Sequence, residues 1–384
     1  MCCHRLALAV ALGALALSTP AAAQRIELAG RVTGSRTVLS QRRVGEARYI
    51  AVSDLFYRDR SAYLEVLDLE TQTVVQVRAK RAVFERRFGV AHDGVVAVPQ
   101  GEVVSFGAGV VGLALAETNP GASRRYWYAE LDVRTGKPLR AAALATVPRG
   151  GELQVIGADL AGAAAWFAIT EVGAHGRTVV LRRLDLASLK VRDEQRVVLA
   201  RGTGHEHGVR VHAAADFSRF AIVEYVEDGV GMPPGQVYLA DPAAGTAFAV
   251  PAPPAAYGVA FSADGRYVYL GSAQRGTISR VDVAAGRIDK QVAAPRFLHH
   301  LVISPSGAKL FALASSNLYA VYDLPDLKPR VDAPHPAGVA PAMAQLHGNG
   351  IASLDGAFFV VPDAEDPRRP PATERGYLIV RLVE

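Results

Sequence analysis

Short runs in which apolar and polar residues alternate recur along this chain, and many end in an aspartate followed by a turn. Examples are "YAELDVRTGK" at 128, "VYLADPAAGT" at 237 and "ISRVDVAAGR" at 278. Alternation with a period of two predicts β-strands with one buried face. The aspartates that end these runs are Asp68, Asp132, Asp185, Asp241, Asp282 and Asp323. The last three are 41 positions apart, so the pattern predicts a repeated β unit.

A second repeated feature precedes the aspartate in the best-preserved units. The segments "VAFSADGRYVYLGS" at 259 and "LVISPSGAKLFALA" at 301 each contain two apolar strands joined by a tight turn of small and polar residues. Together the two features give four strands in about 40 residues, which is the period of a β-propeller blade. We therefore predict an all-β protein built from four-stranded antiparallel blades.

The number of units predicts the size of the ring. Six complete units give six blades, and the segment 342–384 supplies only three strands of a seventh. The strand "RIELAGRV" at 25–32 comes before the first-blade strands expected at 36–40 and 48–57. Since an unpaired sheet edge exposes backbone donors and acceptors, we expect this N-terminal strand to complete the seventh blade. The prediction is one seven-bladed β-propeller domain over residues 24–384.

One glycine motif suggests a different fold. Gly107, Gly109 and Gly112 have the G-x-G-x-x-G spacing of a dinucleotide-binding loop, and Asp132 follows twenty positions later. That loop needs a helix after the glycines to hold the pyrophosphate, whereas the turn residues 119–121 follow almost at once. We therefore interpret the glycines as marking a bulge or a close backbone approach within a β run.

The first 23 residues predict a secretory signal peptide. A basic start is followed by an apolar run from Leu6 to Leu17 and by small residues up to a cleavage site near Ala23. The run is too short to span a membrane, so we expect a periplasmic or secreted protein with no integral membrane segment.

Both cysteines, Cys2 and Cys3, lie within this peptide. A mature chain without thiols has no disulfide, covalent haem or cysteine-ligated zinc, and we expect no cofactor.

Charge and sequence motifs exclude two further classes of function. The net charge is +5, and the basic residues are scattered among acidic ones. Because nucleic-acid binders carry a dense basic stripe, we do not expect a nucleic-acid partner. A G-x-S-x-G nucleophile elbow is also absent from the sequence, so nothing supports a Ser-His-Asp hydrolase of that type.

The unit "SADGRYVYLGS...ISRVDVAAGR" resembles the YVTN-type repeat of extracytoplasmic seven-bladed β-propellers. That group includes the propeller subunits of the quinoprotein amine dehydrogenases. The resemblance covers residues 255–325 and fades towards the N-terminus. It implies that the propeller is a scaffold whose quinone cofactor lies in a partner subunit. None of the catalytic motifs of those enzymes maps onto this chain.

Strand direction places the connections on two faces of a propeller. We name the strands of a blade a to d from the centre outwards, so that b–c and d–a connections share one face. The a–b and c–d connections are mostly minimal turns. Longer b–c connections are expected at 57–62, 117–125, 171–178, 227–236 and 363–376, and longer d–a connections at 80–87 and 201–208. Because loops on a rigid scaffold carry function, we predict that the b–c/d–a face binds.

Histidines and arginines on this face are the candidate ligand-binding residues. They are His205, His207, His299, His300, His347, Arg124, Arg125, Arg368 and Arg369. Guanidinium groups bind carboxylates and phosphates, although nearby acids neutralise many of these arginines. Polar histidines are also common at a wet channel mouth. His205, His207 and His212 have a spacing that a metal can use, but no further ligand strengthens it, and we expect no metal.

Two classes of function remain open. The first is a non-catalytic scaffold that binds a protein partner or a small anionic ligand near the central channel. The alternative is an enzyme or enzyme subunit with chemistry at a histidine-lined channel mouth. It would be part of a redox assembly like that of the amine dehydrogenases, or a lactonase-like hydrolase.

Overall fold

The protein forms a ring of antiparallel sheets. A computed structural model describes residues 25–33, 42–43, 48–51, 63–90, 95–97, 103–107, 109–117, 121–159, 163–173, 176–199, 207–226, 235–296, 298–314, 318–334, 351–353, 356–363 and 376–383. Within these ranges the chain forms 29 strands and one helix, and the strands make seven sheets. The predicted all-β seven-bladed propeller is confirmed.

Each sheet is one blade, and in blades 1 to 6 the strands run in chain order from the centre outwards. Blade 1 contains β2 (Arg42–Arg43), β3 (Tyr49–Ala51), β4 (Tyr63–Asp68) and β5 (Thr73–Arg78). Blade 2 contains β6 (Val95–Ala97), β7 (Val103–Gly107), β8 (Val110–Glu117), β9 (Ser123–Asp132) and β10 (Pro138–Pro148). Blade 3 contains β11 (Glu152–Asp159), β12 (Ala164–Gly173), β13 (Gly176–Asp185) and β14 (Val191–Val198). In blade 2, β6 and β7 both pair with β8 and share the position of strand a.

Blades 4 to 6 follow the same order, and in blade 7 the N-terminal strand takes the outermost position. Blade 4 contains β15 (His207–Ala213), β16 (Phe220–Val226), β17 (Gln236–Asp241) and β18 (Thr246–Pro251). Blade 5 contains β19 (Ala256–Phe261), β20 (Tyr267–Ser272), β21 (Thr277–Asp282) and β22 (Arg287–Ala293). Blade 6 contains β23 (Leu298–Ile303), β24 (Lys309–Ala314), β25 (Leu318–Asp323) and β26 (Lys328–Pro334). Blade 7 contains β27 (Ile351–Ala352), β28 (Phe358–Asp363), β29 (Gly376–Val383) and β1 (Arg25–Thr33).

The N-terminal strand closes the ring as predicted. β1 pairs antiparallel with β29 from Arg25 opposite Val383 to Thr33 opposite Gly376, and so becomes strand d of the last blade. First strands of successive blades contact one another, as β11 does with β7 and β15, which places strand a at the centre. The first strand of blade 1 is Arg42–Arg43. The strand expected at 36–40 lies outside the described residues.

The repeated aspartates have one structural role. All six are the last residue of strand c, and five accept a backbone N–H from the turn that follows, as Asp185 does from Ser188 at 2.7 Å. The fourth residue after each aspartate has a positive φ. It is glycine in three turns and Gln72, Leu189 or Leu327 in the others. Only this left-handed residue lets so short a turn return the chain into strand d.

Apolar side chains fill the spaces between neighbouring blades. Inward-facing residues of blades 3 and 4, such as Val179, Val209 and Tyr238, form one cluster, and similar clusters occur at four other described interfaces and at the closing blade.

The d–a connection between blades 1 and 2 contains the helix α1 (Arg81–Phe88), which the sequence pattern does not predict. Among the described residues, the structure finds no helix of the length and apolarity needed to cross a membrane.

Candidate functional site

The glycine motif lies in a β-hairpin. Gly107 ends β7, Gly109 has φ +78° in the turn, and Gly107 pairs with Val110 at the start of β8. A Cβ atom at Gly112 would stand 2.4 Å from the Tyr128 hydroxyl oxygen. Gly112 is therefore needed for a close approach between side chain and backbone. The sequence-based rejection of a nucleotide loop is confirmed, because a strand follows the glycines.

The Tyr128 hydroxyl belongs to a polar network inside blade 2. It donates to the buried carboxylate of Glu130 at 3.2 Å, and Ser105 Oγ lies 3.5 Å away. Arg140 holds Glu130 with two hydrogen bonds and also donates to carbonyls of the blade 3 c–d turn. Burial raises the pKa of Tyr128 well above its usual value. Since every member of this network bonds to another or to the backbone of the next blade, it serves blade packing.

The b–c/d–a face carries the long connections in only part of the ring. Connections of eight or more positions between strands lie at 34–41, 52–62, 79–94, 199–206, 227–235, 335–350 and 364–375. They cluster in two sectors, around blades 7 and 1 and around blades 3 and 4. The long b–c connection predicted at 171–178 is wrong. Gly173 pairs with Gly176, so β12 and β13 form a tight hairpin with two intervening positions.

The two arginines that precede Tyr126 do not converge on one ligand. Arg124 and Arg125 are consecutive in β9, and alternation directs them to opposite faces of the sheet. Arg124 is half-buried on the side of Tyr126, whereas Arg125 is exposed and forms a two-bond ion pair with Glu117 on the neighbouring strand, at 3.0 and 3.2 Å. The hydrogen bonds from Arg125 lower the pKa of Glu117. Arg125 is thus already neutralised within the protein.

Arg125 also joins an aromatic stack that fixes α1. Its guanidinium carbon lies 5.3 Å from the centre of the Trp127 ring, and Phe88 at the end of α1 stacks on Trp127 with ring centres 4.5 Å apart and planes 10° apart. Phe84, one turn earlier in α1, is fully buried between blades 1 and 2. The helix is therefore held rigidly against blade 2.

The candidate histidines and the arginine pair 368–369 fall only partly within the described residues. His205, His347, Arg368 and Arg369 lie outside the described residues. His207 and His299 are residues of β15 and β23, the innermost strands of blades 4 and 6. His300 is half-buried and packs edge-on against Phe359 of blade 7, with ring centres 5.6 Å apart.

The three histidines with a spacing that a metal can use, His205, His207 and His212, are described only in part. His207 and His212 both lie in β15, five positions apart, and His205 lies outside the described residues. Among the described residues no group of three or more potential metal-ligating side chains is found.

A polar cluster ends the interface between blades 3 and 4 on the b–c/d–a face. Arg177 precedes the interface residue Val179 by two positions on β13, and Glu224, Gln236 and Tyr238 share one face of blade 4. The Tyr238 hydroxyl donates to Gln236 at 2.7 Å. Burial raises the pKa of Glu224, partly offset by Arg177 and Tyr238. Sequence analysis missed Glu224, whose signal is an acid within the apolar strand "FAIVEYV".

Comparison with known proteins supports the fold and nothing finer. No protein-family model and no curated protein matches the sequence. Among solved structures, one matching chain comes from the "Crystal Structure of Mitotic Checkpoint Complex", with 13% identity, a TM-score of 0.52 and coverage of 100% of both chains. At this identity the likeness is one of β-propeller architecture alone.

Proposed function

We propose that this chain is an extracytoplasmic binding and scaffold protein of the YVTN-type propeller group, whose signal peptide is removed near Ala23. Its b–c/d–a face engages a protein partner or a small anionic ligand near the central channel. The supporting observation is the unequal distribution of connections. Turns on the opposite face are short in every described blade, whereas the long connections are confined to the b–c/d–a face. Loops elaborated on one side of a rigid scaffold are typical of binding surfaces.

The test compares two groups of variants in a pull-down from an extracytoplasmic extract. The first group replaces His205 and His207 by Ala and Arg368 and Arg369 by Ser. The control group replaces Lys137 and Arg266 by Ser, since both lie in turns of the opposite face. We expect capture of a partner by the wild type and the control group, and at least a tenfold loss in the first group. Loss in the control group alone would place binding on the opposite face.

A second candidate function is an enzyme or enzyme subunit, in a redox assembly like that of the amine dehydrogenases or as a lactonase-like hydrolase. The observation that favours it is Glu224, because a half-buried carboxyl with a raised pKa beside a cation and a hydroxyl is suited to proton transfer. The test is hydrolysis of a simple lactone by the purified protein. Activity lost in Glu224→Gln and retained in Glu171→Gln supports this candidate, and absence of activity in the wild type contradicts hydrolysis.

A further inference from the structure

A dense group of exposed cations lies where the chain passes from blade 1 to blade 2. Arg78 and Lys80 precede α1, Arg86 and Arg87 lie in its last turn, and all four are exposed. We call these four residues the basic surface. The acid of this segment, Glu85, is buried. Within the part of the chain that the structure describes, none of the four forms an ion pair, and Arg86 donates only to the Ala82 carbonyl at 3.3 Å.

Helix stability does not account for all of these charges. Cations in the last turn, such as Arg86 and Arg87, favour the negative end of the helix dipole. Lys80, however, stands at the N-cap, provides no capping hydrogen bond, and is followed by a first turn without acids. A cation at the positive end of a helix is unfavourable. The position of Lys80 therefore needs another reason.

The aromatic residues of α1 define which side of the helix is available. Phe84 is fully buried, and Phe88 stacks on Trp127. The apolar side of the helix is thus occupied by blade 2, and the cations project from the remaining side. An amphipathic helix that binds a membrane needs a free apolar side to insert. This arrangement favours a polar anionic partner over a lipid surface.

We propose that the basic surface binds an acidic polypeptide segment of a partner protein. The inference rests on the proposed binding function and assigns that function a location and a partner chemistry. The eight-residue helix is about 12 Å long, and an extended segment of four residues spans about 13 Å. One short run of alternating acidic residues can therefore face both ends of the basic surface. The stack of Phe88 on Trp127 holds the helix in place before binding, which limits the entropy lost on association.

The experiment measures fluorescence anisotropy of a fluorescein-labelled ten-residue peptide of alternating glutamate and serine. Wild type is compared with Arg86→Glu/Arg87→Glu and with the matched control Lys190→Glu/Arg192→Glu, which makes the same charge change at exposed residues of blade 3. We expect binding at 20 mM NaCl that weakens at 200 mM, as screening requires. Affinity should fall at least tenfold in the α1 variant and at most twofold in the control. Equal losses in both variants, or no loss in the α1 variant, would overturn the proposal.

Two further probes separate partner classes. Vesicles containing phosphatidylserine and a ten-nucleotide oligothymidylate are tested against the same variants, and tighter binding of either probe that is lost only in the α1 variant would overturn the polypeptide assignment. Unchanged circular dichroism and melting temperature are required to show that the variants fold. The pull-down tests the proposed function independently of this inference, and capture of no partner by the wild type would overturn the proposed function. If the α1 variant captures the partner as well as wild type does, binding occurs elsewhere on the propeller and only this inference fails.

Discussion

The side-chain amide of Gln154 pairs with both backbone polar groups of Val211. Its Nε2 donates to the Val211 carbonyl at 3.0 Å, and its Oε1 accepts from the Val211 N–H at 2.9 Å. Gln154 is in strand a of blade 3, and Val211 is in strand a of blade 4. The innermost strands of a propeller have one edge without a partner strand, so the amide acts as a short substitute for a β ladder between blades.

Removing this amide should destabilise the ring. Gln154→Ala leaves the Val211 N–H and carbonyl without these hydrogen bonds, and we expect the free energy of unfolding to fall by about 1–3 kcal/mol. Urea denaturation followed by circular dichroism measures the change. The control is Gln195→Ala, which removes a single exposed bond to the Thr246 carbonyl, and should cost no more than about 0.5 kcal/mol. Equal losses would show that the paired geometry contributes nothing.

Ring closure makes a second prediction. Val32 of β1 is 7% exposed and packs with Ile50 and Ile379, whereas Leu28 of the same strand is 41% exposed. Val32→Asp buries a charge between blades 7 and 1, and we expect it to cost about 3 kcal/mol. Leu28→Asp should change stability by at most about 0.5 kcal/mol. A closing strand that contributed no packing would give the same small change in both variants.

The c–d turns predict acid sensitivity. Hydrogen bonds from Thr135 lower the pKa of Asp132, and those from Ser188 lower the pKa of Asp185. A carboxyl whose native pKa is depressed stabilises the fold above its unfolded pKa of about 3.9, and this contribution is lost as the pH falls through the native value. Asn retains the acceptor oxygen without the charge. These two carboxyls are protonated between about pH 5 and pH 2. Over that range the urea midpoint of the double variant Asp132→Asn/Asp185→Asn should therefore fall less steeply than that of the wild type.

The fold could be predicted from the sequence because each blade repeats the same local chemistry. An aspartate such as Asp282 accepts a backbone N–H of the tight turn in five of the six units, and it ends strand c in all six. The helix α1 could not be predicted in this way. Phe88 packs on Trp127, which lies far away in sequence, and no local pattern indicates that contact. The tight hairpin of blade 3 was missed because the small residues near Gly173 are equally compatible with a longer loop.

The candidate site could be predicted only in part, for a geometric reason. Arg124 and Arg125 are adjacent in sequence, and a loop would have allowed them to converge. β9 begins at Ser123, however, so the strand separates them. Glu224 was missed because its distinctive feature is burial beside Arg177 of another blade, and no local spacing encodes that contact.

Glu224 should make the protein less stable as the pH rises. Burial raises the native pKa of Glu224 above its unfolded value. The contribution of Glu224 to stability is therefore fully present below the unfolded pKa and is lost as the pH rises through the native pKa. Glu224→Gln should consequently be more stable than wild type at pH 8 and lose that advantage below about pH 4. Glu117→Gln should behave oppositely, because the pKa of Glu117 is lowered by Arg125. Denaturation midpoints measured at both pH values test the two signs together.

Alanine at Gly109 and at Gly112 of the hairpin motif should destabilise the protein for different reasons. At Gly112 the added methyl would stand 2.4 Å from both Ser105 Oγ and the Tyr128 hydroxyl, and overpacking of this kind costs about 1–3 kcal/mol. At Gly109 nothing lies within 4 Å, but φ is +78°, so Gly109→Ala costs about 1–2 kcal/mol through backbone strain alone. Comparable losses of stability thus arise from a clash in one case and from conformation in the other.

A double-mutant cycle distinguishes the two causes. Tyr128→Phe removes one of the two oxygens that meet the new methyl group, whereas Ser105 Oγ remains, so it should recover only part of the loss in Gly112→Ala, about 0.5–1 kcal/mol beyond additivity. The same change should be additive with Gly109→Ala, because Tyr128 does not contact that glycine. Tyr128→Phe alone loses the hydrogen bond to Glu130, and this cost cancels within the cycle. Equal coupling energies with both glycines would mean that Tyr128→Phe loosens blade 2 as a whole. Contact between the Tyr128 hydroxyl and position 112 would then not explain the loss in Gly112→Ala.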